Sequence, residues 1–321
     1  RRRVREIARR LRYVPNVAAR SLITSRTGTL GVLLPDLYGE FFSEVIRGID
    51  QAAHRSGYHL LVSSSHSDQA EIEAALRAMR GRVDGVLVMS PGVGGRALAA
   101  HLPDRQPVVL LNCQAREAGV DSITIDNLGG AAAMVGHLVR RGHRRIALVG
   151  GPARNGDARE RRRGYRAALR VAGIERDPRL ELPGDFLEAS GYEAARRLLA
   201  LRPRPTAVFA ANDAMAIGAL SALHEGGARV PEDVAVAGFD DIPIARYVNP
   251  PLSSVHVPIG ELGARAMATL LRALADPGGH VRRQDVLATT LVIRQSCGGR
   301  GHAYERPAVL ASSPLPQEIR S

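Results

Sequence analysis

The chain has 321 residues, of which 45% are hydrophobic and 24% charged, with 33 Gly, 19 Pro and 2 Cys. At roughly 150 residues per domain this length suggests about two globular domains. The ordinary composition excludes collagen-like, wholly disordered and disulfide-framed chains. No apolar run approaches the roughly 20 residues of a membrane helix. No apolar stretch follows Arg1-Arg2-Arg3-Val4-Arg5 either, so the sequence reads as cytoplasmic, with no membrane partner. The formal net charge is +12 and all 44 basic residues are arginine, since lysine is missing. A GC-rich genome accounts for the arginine bias but not for its clustering. Residues 1–26 hold nine arginines against one acid, Glu6, which puts +8 of the +12 in under a tenth of the chain. Such asymmetry points to phosphate contact, because each neutralised phosphate releases counterions.

In chain order, Val4, Ile7, Ala8 and Leu11 fall at helical spacing with arginine on the other face, and Pro15 ends that helix. Residues 16–22 follow as a two-turn segment with Asn16 as its capping candidate, too short to be stable alone in water. Residues 24–28 read as a linker. From there strand and helix alternate. Strands are predicted at 29–34, 58–63, 83–89, 108–111, 122–125, 145–149, 207–210 and 234–239, with a closing strand at 286–293. Helices are predicted at 41–56, 68–80, 128–141, 158–172, 189–201, 214–225 and 260–275. Near-continuous apolar strands between amphipathic helices imply parallel sheets covered on both faces. The alternation is too long for one compact sheet, so the predicted class is α/β with two doubly wound parallel-sheet subdomains. The pattern ends after Gly298, and 299–321 reads as a disordered tail.

Catalytic signatures are missing from the sequence. Residues 151–156 copy the spacing of a P-loop, but Asp157 stands where the phosphate-binding lysine belongs. Gly92-Val93-Gly94-Gly95 lacks the dinucleotide spacing, and there is no nucleophile elbow, zinc-binding helix motif or Cys/His cluster. No catalysis, cofactor or metal is expected. Polar residues collect instead where strands end and helices begin, at Asn112, Asp126, Asn212, Asp213 and Asp240. Open α/β sheets bind ligands at that position. Singly, each of these residues suits a helix cap or turn better than a ligand. Together with Arg161 they suit a hydroxyl-rich or carboxylated small molecule. The other arginines of 159–163 read as a solvated helix face.

The chain resembles the LacI/GalR family of bacterial transcription repressors over residues 3 to about 297. The resemblance is carried by Tyr13-Val14-Pro15-Asn16 with Ala19-Arg20-Ser21-Leu22, by Gly31-Val32-Leu33-Leu34-Pro35-Asp36, and by Phe41-Phe42-Ser43-Glu44. Val83-Asp84-Gly85, Gly142-His143-Arg144-Arg145-Ile146-Ala147, Arg161-Arg162-Arg163-Gly164-Tyr165 and Gly184-Asp185-Phe186 follow in family order. Ala211-Asn212-Asp213, Val236-Ala237-Gly238-Phe239-Asp240-Asp241 and Leu291-Val292-Ile293-Arg294-Gln295-Ser296 complete it. The resemblance implies a periplasmic binding protein-like type I core, preceded by the remnant of an α-helical DNA-binding headpiece and a hinge helix. It implies subdomains at 28–125 with 258–285 and at 126–257 with 286–298, behind a headpiece and hinge segment at 1–27.

It further implies a homodimer on operator DNA, with Asn16, Val17, Ala18, Arg20, Ser21 and Leu22 in the minor groove and Leu22 as a wedge. The family's helix-turn-helix would lie upstream of Arg1, so the sequence starts inside the last headpiece helix, by truncation or by loss of the major-groove reader. A small effector, a sugar or similar molecule, would bind between the subdomains. Phe41 and Phe42 would form its rim, Met89, Ser90 and Asn112 one wall, Phe186 a stacking surface, and Arg161, Asn212 and Asp240 the main polar contacts. Asp126 would either touch the effector or cap the following helix. The expected function is a ligand-responsive repressor without catalysis, and the alternative is a solute-binding protein without DNA function. Arg161→Ala is expected to abolish the effector response and leave the fold intact.

Overall fold

The computed structural model describes residues 26–299 apart from 67, 94, 103–105 and 114–118, together with Arg10 and 303–305. Asn16, Val17, Ala18, Arg20, Ser21 and Leu22, which the resemblance assigns to a hinge, lie outside the described residues. The first elements are β1 (Thr29–Leu34), α1 (Glu40–Arg55), β2 (His59–Ser64), α2 (Gln69–Met79), β3 (Val86–Met89), α3 (Gly95–Ala99), β4 (Val108–Leu111) and β5 (Asp121–Ile125). Next come α4 (Asn127–Arg140), β6 (Ile146–Val149), α5 (Gly156–Val171), β7 (Glu181–Leu182), α6 (Glu188–Ala200), β8 (Ala207–Ala210), α7 (Asp213–Glu225) and β9 (Ala235–Asp240). The last are β10 (Ser253–His256), α8 (Ile259–Ala275), β11 (Gln284–Leu287), β12 (Thr290–Ile293) and β13 (Ala303–Glu305).

The strands form two sheets, each the base of one lobe. The first has the order β11-β5-β4-β3-β1-β2 with every pair parallel. The second runs β13-β12-β10-β9-β8-β6-β7, parallel from β10 to β7 with β12 and β13 antiparallel at one edge. β3, β4, β6 and β8 are buried at all four positions, as strands covered by helices on both faces must be. α1 shows one apolar stripe, burying Val45, Gly48, Ile49, Ala52 and Ala53, whereas α7 is buried over most of its circumference. Asp68, Asp126, Asn155 and Asn212 cap α2, α4, α5 and α7 by accepting from amides in the first turn.

The chain passes between the lobes three times, at 125–127, 256–259 and 287–290. The third passage explains a difference from the sequence pattern. The single closing strand predicted at 286–293 is two strands: β11 adds to the first sheet and β12 to the second. The boundary expected after residue 285 falls inside β11 and moves to Leu287. The tail predicted to be disordered from 299 contributes β13, antiparallel to β12. The strand predicted from Val83 starts only at Val86; ahead of it the Asp84 carboxylate accepts from the amides of Thr27 at 2.6 Å and Gly28 at 2.9 Å, and the Asp84 amide donates to the Thr29 carbonyl at 2.8 Å.

Three helix pairs pack through glycine, one of them α4 with α5, where a Cβ at Gly164 would strike the Leu128 carbonyl oxygen. α6 and α7 meet at Gly191 and Gly218, where a Cβ would strike the carbonyl oxygens of Met215 and Glu188. α1 and α8 meet at Gly48 and Gly263 in the same manner, against the carbonyls of Gly260 and Val45. Backbone cannot rotate away as a side chain can, so added volume must separate the helices. Gly218→Ala is expected to cost about 3 kcal/mol, read as a lower urea midpoint at unchanged slope. A midpoint equal to the parent's contradicts this packing.

Candidate ligand-binding site

The carboxyl ends of the strands of the two sheets come together where the lobes touch. Behind β3, the Pro91 carbonyl accepts from the Gly156 amide at the start of α5, at 2.8 Å. Behind β1, the Glu40 carboxylate accepts from the Ile244 amide that follows β9, at 2.9 Å. These two contacts join opposite lobes at the position where such sheets bind ligands.

Arg161 organises the second lobe's side of the cleft. Its residue is 4% exposed. Nε donates to Asn127 Oδ1 at 2.8 Å and Nη1 to the Ala211 carbonyl at 2.6 Å, while Nη2 lies 3.0 Å from Asp240 Oδ1. Cζ sits 3.7 Å above the Phe239 ring and 6.0 Å from the ring of Phe186. A planar, forked guanidinium fits such a set of acceptors and faces as lysine cannot. The remaining arginines of the run are half-buried or exposed, as a solvated helix face requires.

Asn212 lies beside this group, but both ends of its amide are engaged. Oδ1 accepts from Met215 to cap α7, and Nδ2 donates to the Phe186 carbonyl at 2.9 Å. Asn212 therefore holds the loop that carries Phe186. The Phe186 ring lies over Gly151, where a Cβ would collide with it. Asp126 is exposed and caps α4 through Gly129 at 2.8 Å, the capping role that the sequence allowed for it. Asp213 faces inward, accepting from Ser254 Oγ at 2.6 Å and from the Ile242 amide at 2.9 Å.

On the first lobe, Met89 and Ser90 end β3 and Asn112 ends β4, all three buried. Ser90 Oγ and Asn112 Oδ1 are buried without a hydrogen-bond partner. Phe41 and Phe42 open α1 edge to face, ring centroids 5.5 Å apart, half-buried against the core. Backbone strain concentrates at the same edges. Asn112, Phe186, Asp240 and Asp241 all have positive φ, at 49°, 75°, 108° and 55°. Such strain clusters where a ligand is clamped.

Several residues escaped the sequence reading. Asn127 joins Arg161 to Asp157, donating to Asp157 Oδ1 at 2.9 Å. Burial pushes the Asp157 carboxyl up to about 7, against the pull of Arg161 and with help from Glu160 and Asp240. Burial likewise raises Asp240 to about 6 although Arg161 favours its charge. Burial and the neighbouring Asp240 raise Asp213 well above the ordinary range. Burial also opposes the charge on Asp241, yet His256 and Arg294 outweigh it and hold that carboxyl low. The one available signal was Asp157 itself, an acid in the place of a P-loop lysine. A separate depression, lined by Leu220, Pro231 and Pro250 among others, lies at the amino ends of β9 and β10, away from this chemistry. Among the described residues, no group of three His, Cys, Asp or Glu could hold a metal, and no helix is long and apolar enough to cross a membrane.

Two doubly wound sheets meeting across a polar cleft define the class of periplasmic binding protein-like cores, and a family model of that description matches residues 135–297. The chain is similar to the ribose operon repressor of Escherichia coli (strain K12), at 34% identity over 284 residues, 86% of this chain and 84% of that one. It is similar to a lac repressor dimer bound to operator and the anti-inducer ONPF, with a TM-score of 0.83 and 28% identity over 92% of this chain and 88% of that one. It also resembles a LacI family transcriptional regulator from Enterococcus faecium with bound ribose, with a TM-score of 0.76 and 30% identity over 84% of this chain and 98% of that one. The chain belongs to the LacI/GalR family of ligand-responsive transcriptional regulators. It is a regulator and not an enzyme, and between regulation and solute binding alone the relatives favour regulation.

The raised Asp157 has a consequence for stability. An unfolded aspartate titrates near 3.8 and the folded one at about 7, so the folded state holds the proton longer. Stability from this group is full below pH 4 and falls as pH rises toward 7. Asp157→Asn removes the penalty. Its unfolding free energy relative to the parent should rise by about 2 kcal/mol between pH 4 and pH 8, after allowance for partial exposure. A difference that does not change with pH would contradict the environment described for this carboxyl.

Proposed function

We propose that this chain is the ligand-sensing core of a cytoplasmic, homodimeric repressor that binds a small, hydroxyl-rich effector, a sugar, between its lobes. In this reading residues 28–125 with 258–287 form one subdomain and 126–257 with 288–298 the other. Residues 1–27 carry the end of the headpiece and the hinge helix, whose Asn16, Val17, Ala18, Arg20, Ser21 and Leu22 meet operator DNA in the minor groove. Effector binding changes the relative orientation of the lobes and with it the spacing of paired hinge helices. Such coupling requires the effector to prefer one state, typically by about 1–3 kcal/mol.

The observation that carries the proposal is the buried Arg161–Asp240 pair in a cleft that also holds the unpartnered Ser90 Oγ and Asn112 Oδ1. A sugar hydroxyl both donates and accepts, which matches a carboxylate, a guanidinium, a hydroxyl and an amide oxygen together. Phe41, Phe42 and Phe186 supply apolar faces for the ring carbons. The relative from Enterococcus faecium carries ribose, and the basic residues 1–26 suit phosphate contact.

Arg161→Ala tests the polar centre, but the sequence-based expectation of an intact fold needs correction. The change leaves the buried Asp240 carboxylate without its partner and exposes the Ala211 carbonyl and Asn127 to loss of a donor. Its cost is about 3–5 kcal/mol, seen as a large fall in Tm. Ser90→Ala is the cleaner probe, since Ser90 Oγ has no partner to lose. Thermal-shift measurements on the parent with D-ribose, other pentoses and hexoses should show a rise in Tm for at least one sugar. Ser90→Ala should keep or raise the Tm without ligand and lose most of that rise. A parent that no sugar stabilises overturns the proposal.

A further inference from the structure

We propose that the amino-end edge of the first sheet is a second DNA-binding surface, on which exposed arginines of the core hold backbone phosphates of the duplex that residues 1–26 meet. The inference rests on the DNA half of the reading above and adds a surface of the core to it.

All strands of the first sheet are parallel, so their amino ends share one edge. Six strands at a spacing of about 4.8 Å make that edge about 24 Å wide. Arg55 is the last residue of α1, Arg80 and Arg82 lie in the loop before β3, and Arg282 and Arg283 directly precede β11. All five are exposed. Among the described residues, none of the five side chains has an ion pair or a hydrogen bond. The acids nearby are turned onto backbone amides instead. Asp84 accepts from Thr27 and Gly28, Asp276 from Gly279, and the buried Asp121 from Arg283. The chain enters β1 on the same edge, between β3 and β2, and so joins the arginine-rich residues 1–26 to it between Arg55 and the loop of Arg80 and Arg82.

The second lobe supplies a comparison within the same chain. Its helix-to-strand loops, at 141–145, 172–180, 201–206 and 226–234, also carry arginines, but every one of them is engaged by the protein. Arg145 and Arg179 pair with Asp177, Arg176 with Glu181 and Arg229 with Asp233. Arg141, Arg144, Arg202 and Arg204 donate to carbonyl oxygens. On the first lobe, the negative ends of the α1 and α2 dipoles account for Arg55 and Arg80. They do not account for Arg82, Arg282 and Arg283. A row of forked, unengaged guanidinium groups fits an extended polyanion that presents phosphate. One strand of a duplex places a phosphate about every 3.4 Å along the axis, so about seven pass across this edge. Residues 1–26 bring such a duplex to this face and not to the corresponding edge of the second lobe.

The test is fluorescence anisotropy of the full chain with a labelled mixed-sequence DNA duplex of about 30 base pairs, titrated between about 50 and 200 mM salt. The parent should bind, with an affinity that falls steeply as salt rises. Arg80→Gln, Arg82→Gln, Arg282→Gln and Arg283→Gln combined should weaken binding at least about tenfold at the lowest salt. The same variant should flatten the slope of log affinity against log salt by about 3, since each lost phosphate contact removes about 0.9. Arg282→Gln with Arg283→Gln alone, away from any helix end, should show about half of that change. The control combines Arg140→Gln, Arg170→Gln, Arg196→Gln and Arg197→Gln, which removes the same charge from exposed helix positions of the second lobe. It should flatten the slope by less than about 1. The Tm of each variant reports its folding. A first-lobe loss no larger than the control's overturns the surface and leaves the DNA reading standing. A parent that does not bind the duplex at the lowest salt takes the surface and that reading down together.

Discussion

Keeping a guanidinium and a carboxylate together out of water is the constraint on which the cleft depends. Burying either ion alone costs several kcal/mol, and the attraction between them offsets this only when the remaining polar atoms are also satisfied. Around Arg161 the fold provides that satisfaction with Asn127, the Ala211 carbonyl and the face of Phe239. The same edge then repeats the device. Asp240 and Asp241 are consecutive at the end of β9, and the second pairs with Arg294 at 2.7 Å and with His256 at 3.0 Å. Two adjacent acids serve two separate buried cations, and both accept positive φ to do so. Strain of about 1–3 kcal/mol per residue is tolerable only because the surroundings over-determine the geometry.

On the second lobe Asn127, Asn212 and Asp213 are tied to neighbours by hydrogen bonds that do not involve a ligand. On the first lobe Ser90 Oγ and Asn112 Oδ1 are buried and unsatisfied. An unsatisfied buried group costs about 1–3 kcal/mol, which a ligand recovers by supplying the partner. On the second lobe Asp240 Oδ1, Asp241 Oδ1 and Arg294 Nε are likewise buried without a hydrogen-bond partner, so unsatisfied groups line both sides of the seam.

Much of the fold was legible because the sheets are covered on both sides. Strands such as Val108–Leu111 and Ala207–Ala210 are apolar at every position, and turn chemistry bounds them. Strand β10 was missed for the converse reason. Its Ser253 and Ser254 look like loop residues, yet both are fully buried, with Ser253 Oγ on the Arg294 carbonyl and Ser254 Oγ on Asp213. The split between β11 and β12 is invisible to periodicity, since a change of sheet leaves no mark on a run of apolar residues. Within the site, Arg161 and Asp240 could be found from topology and resemblance. That Asn212 and Asp126 act as caps follows from where their side chains reach, and spacing alone permits both roles. Asn127 and Asp157 stayed hidden because each looks like an ordinary first-turn residue until the neighbouring guanidinium is placed.

The three passages between the lobes set a mechanical rule. Asp126 donates its amide to the Leu287 carbonyl at 3.0 Å, and Val257 donates to the Asp240 carbonyl, so the straps are laced to one another and to the charged edge. Gly130, just past the first strap, sits within reach of Thr289 on the third and Val255 before the second. Three straps fastened side by side bend readily about one axis and resist sliding and twisting about the others. Relative movement of the lobes is thereby reduced to a single angle, and since the Asp240 carbonyl anchors one of the straps, the charged edge of the second sheet is bolted to the hinge pin.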